Sequence, residues 1–253
     1  MKKLIALALV LVLCLSLAAC GAKGATLADV KKAGKITIAT SPDFPPFESL
    51  ENNEVVGIEV EIMKLIAKDL GVEIEFAQMD FDSVLVAIQS AKYDCAMSGI
   101  TKNAEREKNM LFTDAYYNAA QVIVVKADSA IKSKADLKDK TVSVQTGTTA
   151  EAGCQDEEIA TQGFAANADA KAALTTGKVD AWVVDNLTAL QMVEEGEGLT
   201  ILEEKMTEEP YAFAFAKGSE DLVAEINKSL TKLINDGTVE AIFTQFGEAY
   251  AKP

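Results

Sequence analysis

Histidine is absent from this 253-residue chain. That removes Ser-His-Asp and Cys-His catalysis and every zinc site built on imidazole. Positive charge is scarce: 24 lysines and arginines stand against 39 aspartates and glutamates, a formal net charge of −15. Two of the lysines and none of the acids fall in the first twenty residues, so the remainder is more acidic still. Such a surface excludes nucleic acid and anionic membranes as partners. The global field also repels an anionic ligand, so any grip on a carboxylate must be local. Arginine occurs once, at position 106. Cysteine occurs at Cys14, Cys20, Cys95 and Cys154. Cys14 lies in an apolar leader. Cys95 falls in a predicted strand and Cys154 in a predicted helix, each reading as a small buried hydrophobe. The two belong to different halves of the chain, and a disulfide between them is not expected. No cofactor and no metal ion are expected.

Lys2 and Lys3 precede an apolar run from Leu4 to Leu13 and then Leu17-Ala18-Ala19-Cys20. A charged start, a short apolar stretch and small residues describe an export signal over residues 1–19. The last four residues resemble a bacterial lipobox, which implies cleavage before Cys20 and lipidation of its thiol; an ordinary secretory cleavage is the alternative. Residues 20–25 form a small, flexible tether. No later run approaches the roughly 20 apolar residues that a spanning helix needs. The body is therefore expected in water, at the outer face of the cytoplasmic membrane, attached by lipid only.

The organising stretch is Asp94 to Arg106. Asp94 to Met97 reads as a short buried strand. Ser98, Gly99 and Thr101 supply hydroxyls and open backbone where it stops. Guanidinium grips a planar carboxylate at two points, which is the usual reason to use arginine in place of lysine. Small polar groups at the C-terminal end of a strand, followed by arginine, are the parts of a carboxylate pocket in an open α/β sheet. The competing reading pairs Arg106 with Glu105 or Asp114 on a solvated face.

Taken in order, the body predicts a helix over 27–33 closed by Gly34, then a β-branched strand over 35–40. Ser41 to Glu48 contains three prolines, which impose an extended loop. Phe44 and Phe47 in that loop form a binding wall or cover a small core cluster. Residues 58–70 carry helical spacing between Gly57 and Gly71. A strand over 72–76 follows, then a helix over 84–91 with Asp82 or Ser83 as N-cap. The order βαβαβ with short joins indicates a parallel, doubly wound sheet. The apolar run over 121–125 is expected to cross between lobes, and the run over 211–216 to cross back. Helices over 222–233 and 239–246 close the first lobe.

The second half echoes the first. Residues 140–146 repeat the pattern of 35–40, and 177–182 that of 91–96, implying two lobes on one plan with strand ends facing across a cleft. Gln145 to Glu151 joins a strand to a helix, a junction that favours a negative group; a plain threonine N-cap is the alternative. Asp185 ends a strand over 179–184 and starts a helix over 187–194, either as another N-cap or as an acid facing a cation.

On these residues the chain resembles the extracytoplasmic solute-binding proteins, family 3, of bacterial ABC importers for polar amino acids. The resemblance covers 26–250. It implies an α/β, two-lobed periplasmic-binding-protein-like fold of type II, each lobe a mostly parallel sheet flanked by helices, joined by two hinge strands. The lobes would comprise 26–121, 122–209 and the return 210–253. In the Ser41–Glu48 loop, Phe44 would stack on the ligand, with Phe81 as second aromatic contact. Thr101 and Arg106 would bind the α-carboxylate, Ser98 and Gly99 lending main-chain groups. Thr148 and Thr149 would donate from the second lobe, and Asp185 would take the α-ammonium. Ser41, Asp43, Phe47 and Gln145 would face the ligand side chain. Family members that bind basic amino acids or glutamine carry Asp where Ser41 stands; Asp43 or Glu48 would have to substitute. The expected ligand is therefore an uncharged polar amino acid, with a basic one next. The protein would be a monomer and no enzyme, delivering its ligand to an ABC permease. A dehydratase of small carboxylic acids, with Asp185 or Glu151 as general acid, and a sensor for a separate receptor are the alternatives.

Overall fold

Thr26 opens the first helix among the described residues, Leu27–Ala33, through a reciprocal capping box with Asp29, and Gly34 closes it at φ 70°. The computed structural model describes residues 23–253, so the expected signal peptide and Cys20 lie outside the described residues. Strand β1 (Lys35–Thr40) runs into the proline loop, which forms a small three-stranded sheet of β2 (Asp43–Phe44), β3 (Glu48–Glu51) and β4 (Glu54–Val56). Asn52 and Asn53, both at positive φ, make the two-residue turn between β3 and β4. Gly57 sits at φ 140°, where a Cβ would come within 2.1 Å of the Phe47 carbonyl oxygen. That close approach sets the small sheet against the helix Ile58–Leu70.

After β5 (Glu73–Gln78) the next helix spans Phe81–Gln89. It begins three residues before the expected start, with Asp80 and neither Asp82 nor Ser83 at the N-cap. Asp82 instead takes the N–H of Ser83, and the buried ring of Phe81 anchors the first turn. Strand β6 (Cys95–Ala96) then pairs with β1 in parallel, as β5 does on the other side. A four-residue helix, Ala104–Glu107, capped by Asn103, leads to β7 (Met110–Phe112) and β8 (Tyr117–Ala119).

The second lobe holds β9 (Gln121–Lys126), β10 (Thr141–Gln145), β11 (Ala160–Phe164), β12 (Ala181–Asp185) and β13 (Leu199–Lys205). Helices Thr149–Asp156, Asn167–Thr175 and Asn186–Met192 connect and cover them. The chain returns through β14 (Glu209–Tyr211) to β15 (Ala214–Ala216), and helices Glu220–Asn235 and Thr238–Gln245 finish the first lobe. Two expectations need correction. The run 121–125 does not cross between lobes: β9 lies inside the second sheet, antiparallel to both β12 and β13. Val122 to Val125 are apolar because both faces of the strand are covered. The run 211–216 is not one crossing strand either; it divides between β14 and β15. The connection is the antiparallel pair β8–β14.

The sheets share one plan. Their orders are β5-β1-β6-β15-β7 and β11-β10-β12-β9-β13. In each, three parallel strands are followed by one reversed strand and a last strand antiparallel to it. Four of the five strands therefore point the same way, which delivers their C-terminal ends to one edge. The repeat extends to side chains. Asp94 accepts the N–H of Thr37 at 2.8 Å, and Asp180 accepts that of Thr141 at 2.9 Å. Thr141 is thus the partner of Thr37, one residue out of step with the lysine-to-lysine match in the letters. Cys95 and Cys154 are buried and unbonded, in the cores of different lobes.

Candidate functional site

Five segments reach a narrow crevice between the lobes, and four of them leave the C-terminal ends of strands. After β1 come Asp43 and Phe44; after β6 come Ser98, Gly99 and Thr101, with Arg106 on the short helix that follows. After β10 come Thr148 and Thr149, with Gln145 the last residue of that strand, and Asp185 ends β12. Phe81 arrives on the first turn of its helix. All eleven line the crevice. Clefts at strand ends are where open α/β sheets hold ligands.

Gly99 has φ 53°, and a Cβ there would fall 2.4 Å from Cε1 of Phe44. The aromatic face therefore lies directly on the glycine, which no larger residue allows. Ser98 and Gly99 are seated from behind by two buried acids. The Ser98 hydroxyl donates to Glu48 at 2.8 Å, and the Gly99 N–H donates to Glu59 at 3.0 Å. Burial, with the Glu59 carboxylate beside it, pushes Glu48 well above the usual carboxylate range.

The Arg106 guanidinium donates through Nη1 to the Thr101 carbonyl at 3.0 Å and through Nη2 to the Gly147 carbonyl at 3.2 Å, joining both lobes. It lies over the Phe81 ring, 5.7 Å from the centroid. It forms no ion pair with Glu105 or Asp114: Glu105 pairs with Lys108, and no carboxylate among the described residues lies within 4.0 Å of Arg106. Burial pulls its pKa down, and the charges of Glu209 and Asp185 oppose that.

Asp185 stands at the N-cap position of helix Asn186–Met192 but makes no capping bond. It accepts instead from the Tyr211 hydroxyl on β14. Burial first, and then the nearby charge of Glu209, push its pKa up to about 7, while Tyr211, Gln121 and Arg106 act the other way. Thr148 does cap its helix, accepting from Glu151 N–H at 3.2 Å and donating to the Gln145 carbonyl at 2.7 Å. Its hydroxyl is spent locally. The unbonded N–H groups of that first turn remain, with the positive end of the helix dipole.

Two residues expected at the ligand side chain are elsewhere. Phe47 is a core residue, fully buried against Tyr117, Tyr211 and Phe243 with centroids 5.4, 5.1 and 6.1 Å away. The reversal between Phe44 and Phe47 turns one ring to the crevice and the other to the core. Ser41 lies one layer back, its hydroxyl donating to Asp43 at 2.9 Å. Of the two acids proposed to replace an aspartate at position 41, Asp43 lines the crevice and Glu48 does not. Asp43 reaches across to the second lobe, accepting from Gln145 Nε2 at 3.1 Å and from Asn167 N–H at 2.9 Å.

The residue that sequence reasoning passed over is Glu209. It is 2% exposed, on β14, and accepts three hydroxyls: Thr101 at 2.6 Å, Thr149 at 2.9 Å and Thr207 at 2.5 Å. The only signal was a pair of acids directly before Pro210 at the return to the first lobe, which reads equally as exposed loop.

The family model of the bacterial extracellular solute-binding proteins, family 3, matches residues 36–249. The arginine-binding extracellular protein ArtP of Bacillus subtilis (strain 168) is 35% identical over 96% of both chains. The glutamine-binding ABC transporter protein GlnH of the same organism is 32% identical over 97% of both. Among solved structures, an ancestral arginine-binding protein bound to arginine is 39% identical with a TM-score of 0.79, covering 84% of this chain and 98% of its own.

Proposed function

Because the chain belongs to the bacterial extracellular solute-binding proteins, family 3, we propose that it captures a free L-amino acid with a cationic side chain and delivers it to the permease of an ABC importer. The observation that carries this reading is the charge inventory of the crevice. Arg106 is its one cation; Asp185 and Asp43 line it, and Glu209 stands behind Thr101 and Thr149. The α-carboxylate would sit between the guanidinium and the first turn of helix Thr149–Asp156, and the α-ammonium against Asp185. A zwitterion then balances Arg106 against Asp185 and leaves Asp43 over. A second positive charge on the ligand answers it, with the stem lying on Phe44. The sequence alone put an uncharged ligand first; the place of Asp43 in the crevice wall is the reason to put a cationic one ahead of it. The named ligand of ArtP is consistent with it.

A thermal-shift screen of the twenty amino acids with ornithine and cystine tests the assignment. A ligand at a hundred times its Kd stabilises by about 2.7 kcal/mol, several degrees for a domain of this size. Arginine, lysine or ornithine should give the largest shifts, and aspartate and glutamate none. A largest shift from glutamine would favour the neutral reading, to which the neutral donors around Asp43 lend support. A largest shift from an acidic amino acid would overturn the charge argument.

The proposed role involves no chemical step, and the protein acts as a monomer. Glu151, one acid weighed for a dehydratase, is turned onto the N–H of Gly147 at 2.8 Å and does not line the crevice. No helix among the described residues is long and apolar enough to cross a membrane. The family places the protein outside the cytoplasm, and the sequence at Cys20 supports a lipid anchor there. Cys20→Ala should release the protein from membranes and abolish incorporation of labelled palmitate; unchanged membrane retention of that variant would reject the anchor.

A further inference from the structure

Glu48 and Glu59 are both fully buried, and among the described residues no lysine or arginine lies within 4.0 Å of either carboxyl group. They meet behind the crevice wall, within hydrogen-bonding reach of each other. Glu48 starts β3, in register with Phe44 on β2. Glu59 lies in the first turn of helix Ile58–Leu70. The Ser98 hydroxyl gives its proton to Glu48 Oε1 at 2.8 Å and takes the Ser41 N–H at 3.1 Å. The Gly99 N–H donates to Glu59 Oε2 at 3.0 Å, and the Tyr116 hydroxyl donates to Glu59 Oε1. Glu48 Oε2 is buried and meets no donor among the described residues. A carboxylate only accepts, so two ionised groups would leave that oxygen bare and set two like charges side by side out of water. One proton between them removes both faults. Glu59 has two donors where Glu48 has one, and it stands at the positive end of its helix, so the charge rests there and the proton on Glu48 Oε2. Burial and the Glu59 charge, which hold Glu48 well above the usual carboxylate range, act in the same direction.

We propose that Glu48 and Glu59 hold one proton between them at neutral pH and act as a positioning pair that fixes Ser98 and Gly99 against Phe44 in the crevice wall. Neither acid lines the crevice, whereas Ser98, Gly99 and Phe44 all do. The pair ties together the segments that must agree for the wall to form. Glu48 continues the hairpin that carries Phe44, and Glu59 holds the backbone of Gly99, the residue on which the Phe44 ring lies. Ser98, turned toward Glu48, secures the backbone of Ser41 at the end of β1. Tyr116 closes the group from the far side, its ring stacked on Phe213 with centroids 4.9 Å apart. With the proton in place every oxygen of both carboxyl groups has a partner, and one buried negative charge is left where the residue types alone would give two. Without a donor at position 48 the Glu59 charge loses one of its three hydrogen bonds. Without an acceptor there the Ser98 hydroxyl is free to turn away from the wall's support.

The positioning role rests on the crevice being the ligand site, and the shared proton does not, so two measurements separate them. Infrared spectra of the ligand-free protein at pH 7, wild type minus Glu48→Gln, should show the C=O band of a carboxylic acid; the subtraction cancels Asp185 and every other acid. Absence of that band overturns the shared proton. Calorimetry with L-arginine, or with L-glutamine should arginine give no heat, reads the positioning. Glu48→Met keeps the length but removes donor and acceptor, and should weaken binding by roughly tenfold or more, the worth of a hydrogen bond to a charged group. Glu48→Gln offers Ser98 an acceptor and Glu59 an N–H, and should restore affinity to within about threefold of the wild type. Equal losses in the two variants overturn the proposal, because Glu48 would then act through a negative charge. A lower melting temperature for Glu48→Met with unchanged affinity also overturns it, because the pair would then support the core alone. Should Glu48→Met not fold, Glu48→Gln decides with the infrared band, and a tenfold loss of affinity there rejects the neutral role of Glu48. A wild type that binds neither amino acid overturns the site reading and the positioning role with it, while the infrared band still decides the proton.

Discussion

Arg106→Lys is expected to weaken ligand binding by about 100-fold or more and to leave the fold intact. The guanidinium holds two carbonyls from opposite lobes, Thr101 at 3.0 Å and Gly147 at 3.2 Å, with donors to spare for a carboxylate. Its planar fork makes these bonds together. Lysine brings one compact charge with three donors on a flexible stem, and cannot span both carbonyls while facing a third acceptor. Losing two charge-assisted bonds of about 1.5–3 kcal/mol each corresponds to a factor of roughly 10^2 to 10^4 in Kd. Lysine also gives up much of the stacking on Phe81. The fold should tolerate the change. The short helix Ala104–Glu107 is held by its backbone, through Arg106 N–H to Asn103 Oδ1 at 2.9 Å, and buries none of its residues. Calorimetry with the ligand found by screening, together with circular dichroism, checks both halves. An unchanged Kd would remove Arg106 from the site.

The second large effect concerns protons. With its pKa near 7 in the empty crevice, Asp185 is about half protonated at neutral pH. An α-ammonium placed against it favours the charged form and draws the pKa down. Binding should therefore release about half a proton at pH 7, and affinity should fall as pH drops from 8 to 5. The slope approaches tenfold per pH unit, by linkage between proton and ligand. The stability of the ligand-free protein should move in the opposite direction. Asp185 has its folded pKa raised above the usual 3.8, so the folded state holds this proton more tightly than the unfolded chain does. That contribution is present at low pH and is lost as pH rises from about 4 through about 7, roughly 4 kcal/mol if the whole shift is realised. Glu48, also raised, adds in the same sense. Between pH 8 and 5 the melting temperature of the empty protein should thus rise with respect to these groups, while the shift induced by ligand shrinks. Enthalpies of binding at pH 7 in buffers of different ionisation heat report the released proton directly. Affinity independent of pH from 5 to 8, with no proton release, would show that Asp185 does not meet a cation. Asp185→Asn should bind weakly and with the pH slope removed.

Local chemistry made much of the fold readable. Helices 27–33 and 58–70 carry their own ends, in the capping box at Thr26 and in Gly34 and Gly71 at positive φ. The lysine-bearing turns before Asp94 and Asp180 announced a repeated plan because each aspartate must meet a backbone N–H of the neighbouring strand. The misread segments share one cause. Val122 to Val125 are apolar on both faces whether the run 121–125 crosses between lobes or lies inside a sheet, and only pairing partners distinguish the two. Phe44 and Phe47 are three residues apart in one loop, and nothing local says which ring faces the crevice. Asp82 and Ser83 are good caps by type, but burial of Phe81 moved the helix start ahead of them.

Taken alone, the amino-acid sequence determined a two-lobed α/β chain without imidazole chemistry, with one guanidinium and an acidic surface, because composition, periodicity and helix ends are properties of neighbours along the chain. The tertiary structure decided the polarity of the crevice. It selected Asp43 over Glu48 as the second acid in the wall, raised Asp185 toward neutrality, and brought Glu209 to the hydroxyls of both lobes. Those outcomes depend on which carboxylates lose water and which donors they meet in the folded chain, and desolvation and hydrogen-bond direction are set by residues far apart in sequence.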